Sequence, residues 1–191
     1  NKKQKTIEIT DTGIGLAETE LAETLGTIAK SGTSSFLEEL SGSDNNKDAA
    51  KTLIGQFGVG FYSAFMVAEK VEVISTKAAT SKTFIWESDG QNGFDISESD
   101  QSQNVGTSIK LFLRKDAKEY LDSGKLRTLI KKYSDHITVP ITIKDNEKEA
   151  EQANSAQALW TRSSSSIKHE EYVEFFKSNF GGFDDPYLKI H

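Results

Sequence analysis

The chain has 191 residues, of which 36% are hydrophobic and 27% are charged, with a formal net charge of -6 and no cysteine. This composition is typical of a soluble globular protein with one domain and part of a second. It excludes disulfides, thiolate metal sites and a cysteine nucleophile, it argues against a protein that coats nucleic acid, and no apolar run reaches the roughly 18 residues needed for membrane insertion.

The first 28 residues predict a strand followed by a helix. Residues 6–10 alternate, with Ile7 and Ile9 on one face, as in a half-buried strand. A DTGIG turn follows. Apolar residues then recur at helical spacing over 18–28, namely Leu21, Leu25 and Ile28.

The middle of the chain predicts one more helix and a set of strands. Glycines at 55, 58 and 60 open an apolar stretch that we expect to be a helix carrying Phe61, Phe65 and Met66. Short strands starting at residues 71, 82, 93 and 107 predict an antiparallel meander. A helix over 125–137 and the strand VPITIKD follow. This order predicts an α+β fold with helices on one face of a mixed sheet.

The end of the chain changes character. Residues 145–156 contain no apolar side chain larger than alanine, which predicts a linker or an exposed connection, whereas seven aromatic residues lie among the last 33. These rings either pack on the preceding domain or begin a second domain, and we favour the second alternative. The predicted boundaries are a first domain over 1–145, a linker over 146–156 and the start of a second domain over 157–191.

The stretch GQFGVGF has the features of an anion site. Glycines bring backbone N–H groups close to a ligand, and a helix N-terminus adds unpaired donors and partial positive charge. A tight turn at the start of a helix explains the same residues equally well. The order G-x-x-G-x-G is not the dinucleotide fingerprint, and Ala29 stands where a P-loop requires glycine.

Two further stretches complete the candidate site. Asp11, at a strand end with Gly13 and Gly15 behind it, can accept a hydrogen bond from an adenine amino group, and a buried carboxylate there would reject ligands that lack the donor. Taken alone, DTGIG is more simply a turn. Gly106 and Thr107 open a late strand, where the threonine hydroxyl can support Asp11.

In combination these stretches resemble the ATPase superfamily of gyrase, heat-shock protein 90, histidine kinases and mismatch-repair proteins. DTGIGL, LGTIAKSGT, LIGQFGVGFYSAFMVAEKVEV and ALWTR together resemble the heat-shock protein 90 family over nearly the whole chain. ESDGQNGFDI and DDPYLKIH are most similar to its mitochondrial and bacterial members. The resemblance implies a two-layer α/β sandwich, incomplete at its N-terminus.

The resemblance also implies a set of nucleotide-binding residues. Asp11 would accept from the adenine amino group, with the DTGIGL loop against the ring, and Leu16 stands where the family usually has methionine. Residues 31–54 would form a lid, and Gln56 to Phe61 would wrap the phosphates. The implied set is Asp11, Gly13, Gly15, Leu16, Thr24 near the sugar, Lys30 near the phosphates or sugar, Gln56, Phe57, Gly58, Val59, Gly60, Phe61, and Thr107 supporting Asp11.

The implied cofactors are ATP or ADP and Mg²⁺. In this family the catalytic glutamate and the magnesium-binding asparagine precede the DTGIG strand, and an arginine for the γ-phosphate lies in the middle domain. The chain starts at Asn1, so we expect an internal fragment with no catalytic residue and no metal ligand of its own, and with negligible turnover.

The implied function is that of an ATP-dependent chaperone, homodimeric in the full protein, that acts on partly folded clients. A mitochondrial matrix or bacterial cytoplasmic location is expected, without nucleic-acid binding or membrane insertion. Two alternatives remain open. One is another ATPase of the superfamily, directed at DNA or acting as a kinase, and the other is a non-hydrolysing interaction module.

Overall fold

The structure is a computed structural model that describes residues 1–27, 57–100, 103–145, 149–181 and 184–191. Within these ranges the chain forms two compact units, one of Lys2–Lys118 and one of Asn1 with Glu119–His191. Where one domain ends and the next begins stays a prediction, because these units are defined by contacts alone.

A five-stranded sheet organises the first unit. Helix α1, Glu18–Leu25, follows the first strand, and a 3₁₀ helix, Gly60–Met66, precedes the second. A further 3₁₀ helix, Lys115–Leu121, comes after the last strand. The strands are β1 Thr6–Asp11, β2 Ala68–Thr76, β3 Thr83–Ser88, β4 Asp95–Glu98 and β5 Gly106–Leu113. The predicted α+β class is confirmed.

The order of the strands is β1-β5-β2-β3-β4, and every described pair in this sheet is antiparallel. The expectation of a mixed sheet is therefore wrong for the described strands. The predicted meander holds from β2 to β4, but β5 returns to lie between β1 and β2. There Ile109 is paired with Ile9 on one side and Val73 on the other, which extends a single apolar row across the sheet.

The core of the first unit lies between the sheet and its helices. Trp86 is only 2% exposed. Its ring meets Phe61 edge-on at a centroid distance of 5.5 Å and stacks with Phe94 at 5.9 Å. Leu21 of α1 is also fully buried. The alternation along β2 and β3 thus places their apolar side chains under the helices, as the period of two requires.

Local chemistry sets the ends of α1. The carboxylate of Glu20 accepts a hydrogen bond from the Ala17 N–H at 2.7 Å, and Glu18 and Glu20 place negative charge in the first turn. Both effects favour a helix N-terminus. The helix ends at Gly26. The predicted stripe over 18–28 is confirmed as far as Leu25, and Ile28 lies outside the described residues.

The second unit contains helices α2, Ser123–Ser134, and α3, His169–Phe180. The Asp122 carboxylate caps α2 by accepting from the Lys125 N–H at 2.8 Å, and Gly181 ends α3 in the left-handed conformation at φ 69°. Two strands, β6 Thr142–Ile143 and β7 Glu151–Gln152, pair antiparallel, and 3₁₀ turns cover Leu159–Thr161 and Ser164–Ser166.

The expectation of an exposed connection over 145–156 is wrong for Ala153 and Asn154, which are buried. Glu151 and Gln152 form β7, and Asn154 is buried. Its side-chain oxygen accepts from the Ile141 N–H at 2.8 Å, and its amide nitrogen donates to the Val139 carbonyl at 3.0 Å. A polar composition suggested exposure, but the polar atoms are satisfied inside the unit, so burial is tolerated.

Aromatic rings of the tail pack together in the second unit. Trp160 meets His136 at 4.8 Å and Phe175 at 6.0 Å, both edge-on. Arg162, which follows in the same segment, forms an ion pair, since its guanidinium contacts Glu171 at 2.5 Å. Glu171 also accepts from the backbone at the start of α3, so this pair fixes the preceding loop to the helix.

Candidate functional site

The sheet brings two of the three predicted glycine stretches together. Asp11, at the end of β1, is paired in register with Thr107 at the start of β5. Thr107 is in turn paired with Ser75 on β2. Register partners point to the same face of a sheet. Asp11, Thr107 and Ser75 therefore form one polar row, which we call the Asp11 row.

Glycine is required at two positions beside this row. Gly15 has a φ of 66°, and a Cβ there would lie 2.0 Å from the Thr76 carbonyl oxygen. Gly106 has a φ of 135°, and a Cβ there would lie 2.3 Å from the Asp11 carbonyl oxygen. Both the dihedral and the space exclude a side chain. Glycine at 15 and at 106 thus lets neighbouring backbone segments approach each other closely at the ends of the strands.

The carboxylate of Asp11 is exposed, and this corrects the expectation of a buried acceptor. Its Oδ1 accepts from the Gly13 N–H at 2.8 Å, which is the Asx-turn geometry that the turn interpretation predicts. Among the described residues no hydrogen bond to Oδ2 is found. A turn and a binding role are therefore compatible, because the turn uses one oxygen and leaves the other to a ligand.

Four contacts fix the loop between β1 and α1, together with the first turn of α1, to the residues at the end of β2. The Ile14 carbonyl accepts from the Ala78 N–H at 2.7 Å, and the Leu16 N–H donates to the Ser75 hydroxyl at 2.8 Å. The Lys77 ammonium contacts Glu20 at 2.5 Å. The fourth contact is the close approach of Gly15 to Thr76 described above. The loop that carries Gly13, Gly15 and Leu16 is thus held at several points along its length.

Glu20 connects this loop to the start of α1. Burial raises the pKa of its carboxyl, but the hydrogen bond from the Ala17 N–H and the Lys77 ammonium outweigh burial and hold the pKa below its ordinary value. The ionised form is therefore the one that the folded state favours.

The second glycine stretch is described from Phe57 onward. Gly58 is left-handed with a φ of 63°, and Phe57 and Val59 are exposed. A helix follows as expected, but it is a 3₁₀ helix of seven residues, Gly60–Met66, and not an α-helix. A Cβ at Gly60 would meet nothing within 4 Å, which leaves open space beside that backbone.

The 3₁₀ helix is attached to α1. Tyr62 donates from its hydroxyl to the Leu25 carbonyl at 2.8 Å, and burial raises the pKa of that hydroxyl. Thr24, the predicted sugar-side residue, lies half-buried in the same last turn of α1. The side chain of Phe61 packs on Trp86 in the core. Because this side chain packs in the core, only the backbone N–H of Phe61 is available for the predicted contact with phosphate. Lys30, Gln56 and the predicted lid over 31–54 lie outside the described residues.

Sequence reasoning missed three residues of this region, Ser75, Glu20 and Lys77. A signal for Ser75 was available. Val71, Val73 and Ser75 alternate on the buried face of β2, and Ser75 is 0% exposed. A polar residue on an apolar strand face requires partners. No comparable signal marks Glu20 and Lys77, because their contact joins residues far apart in sequence.

No group of three or more His, Asp or Glu side chains in the described part of the chain is arranged to hold a metal ion. No helix among the described residues is both long and apolar enough to span a bilayer.

Comparisons with known proteins match both parts of the chain. Residues 1–112 match the family described as histidine kinase-, DNA gyrase B- and HSP90-like ATPase, and residues 142–191 match the Hsp90 protein family. The whole chain is 49% identical to chaperone protein HtpG of Rickettsia bellii, strain OSU 85-389, over 192 residues, and covers 30% of that relative.

Two other relatives give the same result. The chain is 49% identical over 191 residues to chaperone protein HtpG of Paramagnetospirillum magneticum, strain ATCC 700264 / AMB-1. It is 50% identical over 192 residues to chaperone protein HtpG of Rickettsia rickettsii, strain Sheila Smith. In each case the match takes in 100% of this chain and 30% of the relative, so the chain spans under a third of the curated relatives' length.

Gly15→Ala tests the fit of the loop against β2. We expect it to destabilise the folded chain by roughly 2 kcal/mol or more, because the methyl group overlaps the Thr76 carbonyl and the left-handed φ is strained. Gly60→Ala is the control, since it has open space, and it should change stability by less than about 1 kcal/mol. Urea unfolding measures both. Equal losses in the two variants would contradict the assigned contact.

Glu20→Gln tests the lowered pKa of that carboxyl. The sign follows from the direction: a depressed folded pKa contributes stability above the unfolded value of 4.5, and this is lost as pH falls through the folded pKa. The variant should therefore lose stability relative to the wild type near neutrality, and the difference should disappear in acid. The side chain is 39% exposed, so well under 1 kcal/mol is expected. Denaturation midpoints measured across that pH range check it, and a difference independent of pH would count against the pair.

Proposed function

Since this chain belongs to the histidine kinase-, DNA gyrase B- and HSP90-like ATPase family, we propose that it binds the adenine nucleotide ATP or ADP at the Asp11 row. The observation that carries the proposal is the register of β1 and β5, which places Asp11 beside Thr107. A carboxylate oxygen without a described partner at this strand end suits a ligand that offers an N–H donor.

Asp11 would accept from the adenine amino group through Oδ2. Gly13, whose N–H occupies Oδ1, fixes the carboxylate in one orientation. Gly15 and Leu16 then follow in a loop that is already held by β2. A ligand binding there meets groups that need little ordering, and this lowers the entropic cost of association.

Backbone N–H groups would supply the phosphate side, namely those of Gln56, Phe57, Gly58, Val59, Gly60 and Phe61. Lys30 would lie near the phosphates or the sugar, and Thr24 near the sugar. The open space at Gly60 and the left-handed Gly58 fit a backbone that approaches a phosphate closely. Mg²⁺ would be carried by the nucleotide phosphates together with protein groups from elsewhere, and no cluster of metal-ligating side chains lies among the described residues.

In the full protein we place this nucleotide site in an ATP-dependent chaperone of the heat-shock protein 90 type. Nucleotide binding would close the lid, the middle domain would then dock, and a homodimer would close on partly folded client proteins. The match of residues 142–191 to the Hsp90 protein family supports this assignment over a DNA-directed ATPase or a kinase. The net charge of -6 supports it as well. Of the two compartments that the sequence suggests, the bacterial cytoplasm agrees with the source organisms of the relatives.

Asp11→Asn tests base recognition on the 191-residue chain. We expect ADP to bind the wild type in calorimetry and the variant to bind about tenfold or more weakly, because an amide presents a donor or a weaker acceptor to the adenine amino group. Asp95→Asn makes the same chemical change on the exposed strand β4 and should leave the Kd unchanged. Equal affinities of Asp11→Asn and the wild type would contradict the role of Asp11. A wild type that does not bind ADP would refute the nucleotide site in this chain.

We also expect the 191-residue chain to hydrolyse ATP negligibly. Proton abstraction from the attacking water needs a positioned base, and transition-state charge needs a clamping cation. In the family that this chain resembles, the base and the cation both come from parts of the sequence outside the stretch that this chain matches. A coupled phosphate-release assay measures turnover, with the same chain carrying additional upstream sequence as the comparison. Equal and substantial turnover in both would show that this chain holds its own base.

A further inference from the structure

Ser75 is a buried polar residue that contacts two parts of the proposed nucleotide site. It is 0% exposed and lies on the same face of β2 as Val71 and Val73. Its hydroxyl is 2.8 Å from the Leu16 nitrogen and 2.9 Å from the Thr107 hydroxyl. One side chain thus joins the loop after β1 to the start of β5, two segments nearly a hundred residues apart in sequence.

The directions of these hydrogen bonds follow from donor counting. The Leu16 N–H can only donate, so the Ser75 oxygen accepts from it. The Gly106 carbonyl, 3.2 Å away, can only accept, so Ser75 gives its single proton to it. The Thr107 hydroxyl then donates to the Ser75 oxygen at 2.9 Å, and the threonine oxygen keeps its lone pairs for a donor elsewhere.

The direction matters because of what stands beside Thr107. Asp11 is its register partner on the other side, so the Thr107 oxygen, whose proton is directed toward Ser75, offers its lone pairs beside Asp11 to a donor from a bound ligand. Ser75 itself is buried, so solvent does not compete for its hydroxyl.

We propose that Ser75 is a positioning residue for base recognition: it holds the Leu16 loop and orients the Thr107 hydroxyl beside Asp11, so that the two residues present acceptors to the base amino group. This inference rests on the proposed nucleotide site and adds a residue to it that does not touch the ligand. Loss of the Ser75 hydroxyl should therefore weaken recognition of the amino group more than it weakens binding of the rest of the nucleotide.

Ser75→Ala removes the hydroxyl and leaves the Leu16 N–H without its acceptor. We compare ADP with inosine diphosphate, which lacks the amino group, by calorimetry on the 191-residue chain. The affinity for ADP should fall by about tenfold, and the ratio of the two affinities should shrink toward one. Ser75→Thr retains the hydroxyl and should restore the ratio.

Ser108→Ala is the matched control. Ser108 is also a serine of the sheet that is 1% exposed, and its hydroxyl is hydrogen bonded, donating to Glu8 at 2.7 Å and lying 3.2 Å from Thr10 Oγ1. Because Ser108 is adjacent to Thr107 on β5, its side chain points to the other face of the sheet, away from the Asp11 row. Its replacement should lower the melting temperature much as Ser75→Ala does, without changing the ratio between ADP and inosine diphosphate.

The outcomes separate the two proposals. If the wild type does not bind ADP, the nucleotide site fails and Ser75 has no such role. If the wild type prefers ADP and Ser75→Ala keeps the same preference, the site stands and the role of Ser75 is refuted. A preference lost equally in Ser75→Ala and Ser108→Ala would also refute it, since general destabilisation would then be the cause. Should Ser75→Ala not fold, Ser75→Cys replaces it, because a thiol is a weaker donor and acceptor of similar size, and the same shrinking ratio is required.

Discussion

The insertion of β5 between β1 and β2 is the constraint on which the first unit depends. It makes one continuous apolar row, in which Ile109 is paired with Ile9 and Val73, and Val73 with Trp86. The same register, two residues along, aligns the Asp11 row. Because successive side chains alternate between faces, a slip of one residue would move both rows to the opposite side of the sheet. The burial of the core therefore also sets the geometry of the site.

Sequence patterns identified the strands but not their order. Alternation along TSIKLFL predicted β5 correctly, and its turn-rich neighbours suggested a meander. Which strands become neighbours depends on which of them best cover the two edges of an apolar strand. No short stretch of the sequence contains that information. Likewise, the polar residues of Glu151–Asn154 suggested exposure, while Asn154 is buried because backbone groups of a distant loop satisfy its amide.

Residues for the candidate site were easier to select from the sequence than the order of the strands, because the proposed chemistry demands particular residue types. Gly15 and Gly106 must be glycine because another backbone segment approaches each of them closely. Asp11 and Thr107 are chosen for the functional groups that they present. Their combination predicted the family, and the family matches confirm it. Ser75 was missed although its place on an apolar strand face marked it. Its role depends on contacts with both Leu16 and Thr107, and only the folded sheet brings those together.

The arrangement at β1 combines a rigid loop with an exposed acid, and the two properties serve binding in different ways. Exposure keeps the Asp11 carboxylate hydrated until a ligand arrives, so the folded chain does not carry the large cost of an unpaired buried charge. Rigidity, from Gly15 against Thr76 and from the Ser75 hydroxyl, means that the ligand does not have to order the loop. Binding must then overcome mainly the desolvation of one carboxylate oxygen. A ligand that offers an N–H donor compensates that loss and one without it does not, so at the proposed nucleotide site discrimination between bases would arise from the loop's preorganisation as much as from the acid itself.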